Sequence, residues 1–169
     1  MPVVEIRSET PQDVRAIHAV NTAAFDTRLE ADLVDTLRQA AGPLISLVAD
    51  DGGKIVGHIL FSPVALSGQQ DAQIMGLAPM AVLPGEQRRG IGSALVRAGL
   101  TRCKNLGCGA VVVVGHPDYY PRFGFRPAAT FNLTSEYDVP DDVFMALELT
   151  ANYLRGKAGT IQYHAAFRT

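Results

Sequence analysis

Apolar and polar positions along this chain recur at two spacings, and the changes between them mark the elements. Val3 to Arg7 alternates and predicts a first strand. Thr10-Pro11-Gln12-Asp13 reads as a helix start, with Thr10 as the N-cap, Pro11 at the first helical position and Asp13 in the first turn. Val14, Ala16, Ile17, Val20 and Ala24 then follow helical spacing as far as Phe25, where Asp26-Thr27-Arg28 interrupts. A second helix over Glu30 to Ala40 buries Leu33, Val34 and Leu37 and stops at Gly42-Pro43. Leu44 to Asp50 and Lys54 to Phe61 read as strands joined by an Asp51-Gly52-Gly53 hairpin turn. Ser67 to Asp71 is polar and reads as a loop.

Ile74 to Val82 is the next strand. Pro79 inside it cannot donate to a ladder, so it implies an edge, a bulge or a splayed position. A helix from Ile91 to about Leu106 carries Leu95, Val96, Leu100 and Cys103 on one face, with Gly107 at its stop. Ala110 to Val114 is unbroken apolar sequence, suited to a strand buried on both faces. Strand, helix, strand in that order implies a parallel pair with a right-handed crossover. The tail reads as a strand, a turn at Leu154-Arg155-Gly156 and a last strand.

Composition narrows the class. At 169 residues the chain suits one domain, 1–169, with a sizeable core. It is 47% hydrophobic and 19% charged, as soluble globular proteins are. A net charge of −2 without a basic stripe argues against nucleic acid or an anionic membrane as a partner. Cys103 falls inside the third helix and Cys108 just past its end, without metal-type partners. A reduced, cytoplasmic setting with no disulfide and no metal is the simpler expectation. No apolar run reaches the roughly 18 residues of a membrane span, and the N-terminal residues lack a signal-peptide layout.

The chemistry is concentrated in Met80-Ala-Val-Leu-Pro-Gly-Glu-Gln-Arg-Arg-Gly-Ile-Gly-Ser-Ala-Leu95, the end of a strand, a turn and the start of a helix. Gly90 and Gly92 let the backbone approach a ligand closely. A helix start there offers N–H groups and a positive dipole end to an anion, phosphate being the commonest. Arg88 and Arg89 add charge-assisted donors. The run is neither a P-loop nor a dinucleotide fingerprint, since it lacks Gly-Lys-Ser/Thr and a third spaced glycine.

The pattern Val82-x-Pro84-x-x-Gln87-x-x-Gly90-x-Gly92, with Leu95 on the helix, resembles the coenzyme A loop of the GNAT N-acetyltransferase superfamily. A second stretch, His116-Pro-Asp-Tyr-Tyr120-Pro-Arg-Phe-Gly-Phe125, resembles that family's Tyr-x-x-x-Gly-Phe signature on a short helix, for which Pro117 suits the first position. Together with Phe144-Met-Ala-Leu-Glu-Leu149 and Gly159-Thr-Ile-Gln-Tyr163, these runs look like the YhbS-like branch, and the resemblance covers nearly the whole chain.

The resemblance implies an α/β fold: a central twisted mixed sheet of about seven strands, splayed between the fourth and fifth and flanked by about four helices. It implies acetyl-CoA as co-substrate, with the pyrophosphate on Gln87, Arg88, Arg89, Gly90, Ile91, Gly92 and Ser93. Met80 and Val82 would supply backbone contacts to the pantetheine arm, and an N–H near Met80 or Ala81 a donor to the thioester oxygen. Tyr120 would lie near the sulfur and protonate the leaving thiolate, with Tyr119 as the spare candidate. One departure stands out: many members have asparagine seven residues before the tyrosine, and here that position is Val113.

The implied activity is acetyl transfer to an amine by direct attack, the acceptor being a small molecule, a protein N-terminus or a lysine. Family habit adds a homodimer. The general base is the least legible part, because the strand before the loop carries no carboxylate. Glu30 is the leading candidate, with Asp26 and His116 behind it. His58, in mid-strand, reads as a packed or exposed strand residue. Two other readings share the loop: a non-catalytic acyl-CoA-binding sensor or partner protein, and a transferase for another acyl group.

Overall fold

The computed structural model describes residues 4–40 and 42–168. The expected strand residue Val3 lies outside the described residues. Among the described residues nine strands and three α-helices form, against the roughly seven and four expected. The strands are β1 (Glu5–Ser8), β2 (Ile45–Asp51), β3 (Lys54–Leu66), β4 (Gln69–Val82), β5 (Ala110–Val114), β6 (Arg126–Pro127), β7 (Leu133–Ser135), β8 (Phe144–Glu148) and β9 (Gly159–Gln162). The helices are α1 (Val14–Phe25), α2 (Leu29–Ala40) and α3 (Ile91–Asn105). The helix expected around Tyr120 is a single 3-10 turn, Tyr120–Phe123, because Pro121 lacks the N–H that a longer helix needs; Pro117 lies in the turn before it. The chain divides into two compact units. The first runs to Phe61 and resumes over Ala78–Gly99; the second holds Ser62–Leu77 and everything from Leu100 onward.

In the first unit β1, β2 and β3 form an antiparallel run. Gly52 and Gly53, at φ +62° and +100°, make the two-residue turn between β2 and β3, a backbone hand that matches strand twist. The register slips at Ala49/Asp50, a bulge. α1 buries Ile17 and Val20, and α2 buries Ala31, Val34 and Leu37, each a stripe at helical spacing. Asp26, at φ +57°, ends α1 in the left-handed region. Gly99 of α3 lies against Phe61: a Cβ there would fall 2.1 Å from Cε1 of the ring.

In the second unit the polar loop expected over Ser67 to Asp71 is a tight turn at Ser67-Gly68, and β4 begins at Gln69. β4 pairs with β5 in parallel over Ile74↔Ala110 to Leu77↔Val113, while β4 itself continues to Val82. Pro79 lies in that continuation, where its missing N–H costs the β5 ladder nothing. β8 flanks β5 on the other side, antiparallel, and pairs in turn with β6. β9 pairs with β7 in parallel and with the end of β3 antiparallel. Val64, Leu66, Ile74, Val112, Leu133, Phe144, Leu154 and Ile161 fill the core between them. Each such side chain contributes about 1.5–3 kcal/mol when fully buried.

Candidate functional site

In the first unit the glycine-rich turn is pinned at four points. Leu83 N–H donates to Val56 O of β3 at 2.9 Å. The Gln87 amide donates to Val82 O at 3.2 Å, so this side chain holds the turn to the strand that precedes it. Arg89 pairs with Glu86 and, at 3.4 Å, with Asp51 at the end of β2, and these partners raise its pKa above the ordinary guanidinium value. Ile91, buried at 4% exposure, sits over Gly57, where a Cβ would lie 3.1 Å from both Ile91 Cγ2 and Leu95 Cδ1. Helix α3 therefore begins at a fixed place on β3.

Between those anchors the backbone turns back on itself. Arg88 is left-handed at φ +67°, which costs a non-glycine residue about 1–2 kcal/mol. Gly90 is left-handed at φ +79° and has open space where a Cβ would be. Gln87, Arg88, Arg89 and Gly90 are all exposed. Ala94 N–H donates to Gly90 O at 3.0 Å, so α3 closes its first turn there and aims the amides of that turn, including those of Ile91 and Gly92, away from the helix body. An open cradle, a positive dipole end and two guanidinium groups fit a pyrophosphate. Met80, Ala81 and Val82 form the last residues of β4; Ala81 is buried and its neighbours are half-buried.

In the second unit Tyr120 opens the 3-10 turn that follows β5. Its ring is 7% exposed and meets Phe125 edge-on at 5.7 Å and Tyr119 at 5.1 Å. Gly115 lets it in: a Cβ there would sit 2.3 Å from Cε2 of the ring. Burial, with Tyr119 beside it, pushes the Tyr120 hydroxyl up to about 12, so it is protonated and able to donate at any ordinary pH. Gly124, at φ +99°, ends the turn. Tyr119 lies under the Arg122 guanidinium, 4.4 Å from its ring centre. Val113, at the position where the resemblance implied an asparagine, is buried in the ladder at 2% exposure.

The base candidates have structural contacts of their own. The Glu30 carboxylate accepts from Thr27 Oγ1 at 3.3 Å, at the start of α2. Asp26 is the left-handed cap of α1. The His116 carbonyl accepts from the N–H of Tyr119 at 3.1 Å. His18, Asp32 and Asp35 bring ligand-type atoms within 4.8 Å of one another, but Arg28 and Arg38 already pair with the two carboxylates.

Sequence reasoning missed a buried polar chain around His58. His58 is fully buried, and Asn21 Nδ2, which can only donate, lies 3.2 Å from its Nδ1. Nδ1 therefore accepts, the proton sits on Nε2, and Nε2–H donates to Ser46 Oγ at 2.8 Å. Ser46 donates onward to Glu9, which Arg38 clasps at 2.7 and 3.1 Å. Burial holds His58 down at about 4. Burial pushes Glu9 up, but Arg38 and Ser46 outweigh it and leave its pKa below the ordinary value. These residues come from separate elements, and nothing local in the sequence joins them.

A model of the acetyltransferase (GNAT) family matches residues 6–125. The chain belongs to the GNAT acetyltransferase family. Among GNAT relatives, the uncharacterized N-acetyltransferase YjhQ of Escherichia coli (strain K12) is 41% identical over 146 residues, 82% of this chain and 81% of YjhQ. The uncharacterized N-acetyltransferase YhbS of the same strain is 37% identical over 163 residues, 96% and 97% of the two chains. The crystal structure of E. coli YhbS in complex with CoA matches with a TM-score of 0.94 at 34% identity, over 100% of this chain and 94% of that one. A GNAT acetyltransferase from Brucella melitensis in complex with acetyl-CoA matches at 0.82 and 36% identity, over 99% of each. The GNAT fold expected from the sequence is thus the fold observed, with more strands and fewer helices.

Proposed function

We propose that this chain is a single N-acetyltransferase domain that moves the acetyl group of acetyl-CoA onto an amine. The observation that carries the reading is the turn into α3: two left-handed residues, an open space at Gly90 and a helix start, in a chain whose relatives include proteins crystallised with CoA and acetyl-CoA. The 87–93 run takes the pyrophosphate on its backbone amides, with Arg88 and Arg89 adding charge. Met80, Ala81 and Val82 offer strand backbone to the pantetheine arm and the thioester oxygen.

The acceptor must attack as a neutral amine, and an alkyl amine holds its proton to a pKa of about 10.4. A base or a water chain removes it, and Glu30 is the proposed base. The amine then attacks the carbonyl carbon while charge builds on oxygen and passes to the sulfur. Tyr120 gives its hydroxyl proton to the leaving thiolate. Holding both reactants together supplies up to roughly 7–11 kcal/mol of the barrier, so a covalent acyl-enzyme is unnecessary.

Calorimetry with CoA, followed by thiol release from acetyl-CoA over a panel of amines, tests this. Saturable CoA binding and amine-dependent thiol release are expected. A flat titration with CoA overturns the whole reading. Binding without transfer to any amine moves the protein to the acyl-CoA sensor class, and faster release from a larger acyl-CoA moves it to another acyl group.

A further inference from the structure

Two thiols meet at the end of α3 because of how that helix stops. Cys108 N–H donates to Cys103 O at 3.0 Å, Gly107 N–H donates to Lys104 O at 3.1 Å, and Gly107 is left-handed at φ +91°. This pair of bonds is the Schellman motif, and it presses the side chain after the glycine against the one five residues earlier. Apolar side chains usually make that contact. Here both are cysteines, reduced and buried at 0% and 5% exposure.

The contact is chemically polarised. The Cys108 thiol donates to Ala110 O at 3.0 Å and lies 3.4 Å from Gln73 O, and the Cys103 thiol hydrogen-bonds to the Cys108 sulfur; that last bond, against the effect of burial, brings Cys108 down to about 7. The same hydrogen bond, reinforced by burial, pushes Cys103 well up. Cys108 is thus the more acidic thiol of the pair, the one that gives up its proton first, and Cys103 stays a thiol beside it.

We propose that Cys103 and Cys108 form an oxidisable dithiol, which a hydroperoxide closes to an intramolecular disulfide and a thiol reductant reopens. In the first step the Cys108 thiolate attacks one oxygen of the O–O bond, which breaks; the other oxygen leaves and takes up a proton as water or alcohol. Cys108 is then a sulfenic acid. In the second step the Cys103 sulfur attacks the Cys108 sulfur, the S–O bond breaks, and water leaves with the thiol proton. Two thiols lose one hydrogen each and one hydroperoxide is reduced. The bridge ties the last turn of α3 to Gly109 and Ala110, where Gly109 N–H bonds Gln73 O at 2.9 Å and Gly109 O accepts from Leu149 N–H at 2.8 Å.

The test treats the full chain with hydrogen peroxide, quenches with catalase, unfolds it and alkylates it before intact-mass measurement. The expected result is joint loss of both alkylatable thiols and a monomer lighter by two hydrogens, both reversed by dithiothreitol. In folded Cys103→Ser, dimedone should capture a sulfenic acid on Cys108. In folded Cys108→Ser, Cys103 should stay fully alkylatable at the same dose. Two thiols that survive a dose oxidising free glutathione, a bridge linking two copies, or equal reactivity of the two single variants each overturn the proposal. None of these readouts depends on acetyl transfer.

Discussion

Gly115 lies flat against the ring of Tyr120, so close that a methyl group on Gly115 would stand 2.3 Å from Cε2. Gly115 follows β5 directly, and its N–H bonds Val143 O at 2.9 Å, so its backbone cannot yield. Gly115→Ala should therefore move the tyrosine. We expect a stability loss of about 1–3 kcal/mol by thermal or urea melting. Turnover should fall at least tenfold while CoA affinity by calorimetry stays within about twofold, since displacing the proposed proton donor would affect the chemical step more than binding.

Tyr120→Phe keeps the ring and removes the proton. Turnover should drop by roughly 10²–10⁴-fold if the hydroxyl serves the leaving thiolate. Burial raises the folded pKa to about 12, above the value near 10 of an exposed tyrosine. The native rate should then show no loss from tyrosine ionisation up to about pH 11. A rate limb near pH 10 that vanishes in the Phe variant would contradict the buried setting.

Gly90→Glu adds a side chain at φ +79° and a negative charge where the pyrophosphate is proposed to sit. CoA affinity should weaken by at least tenfold, about 1.4 kcal/mol, with the far-ultraviolet circular dichroism of the native protein retained. Arg89→Ala should act in two ways, because Arg89 also ties the turn to Asp51 and Glu86. Its loss should weaken CoA binding and lower the salt dependence of what remains.

His58 makes the fold sensitive to acid. In the unfolded chain the imidazole takes a proton near pH 6.5; in the native chain it does so only at about 4. Between those values the unfolded state binds more protons, so stability is complete above pH 6.5 and falls as the pH drops toward 4. The loss amounts to about 3 kcal/mol. Glu9, depressed by Arg38 and Ser46, adds to it in the same direction. Urea melts at pH 7 and pH 4.5 should show a smaller difference for His58→Gln than for the native chain.

The turn and its helix were legible because their signals are local. A proline, two glycines and two arginines at fixed spacing lie within one strand-turn-helix, and the unbroken apolar run needs no distant partner to be read as buried, which holds for Ala110 to Val113, while Val114 at the strand's end is 46% exposed. The stretch from 126 to 143 was not legible. β6 is two residues and β7 three, too short for any period, and their places come from pairing with β8 and β9 further along the chain. The same limit hid the contacts of His58. Its partners Asn21, Ser46 and Glu9 reach it only after α1 and two strands have assembled. Gln87 shows a subtler gap: the motif marks the residue, and only the structure shows its amide clamped to Val82 O.

Gly57 carries no chemistry, yet Ile91 and Leu95 rest on the space its absent side chain leaves. Redesign of the proposed carrier site would naturally vary the residues around 87–93. A Cβ at 57 would stand 3.1 Å from both side chains, so even alanine would make Ile91 and Leu95 give by a few tenths of an ångström, and a larger residue would press harder on the first turn of that helix. An engineer should therefore count this mid-strand glycine as part of the loop, the floor beneath the proposed ligand rather than a neutral stretch of strand.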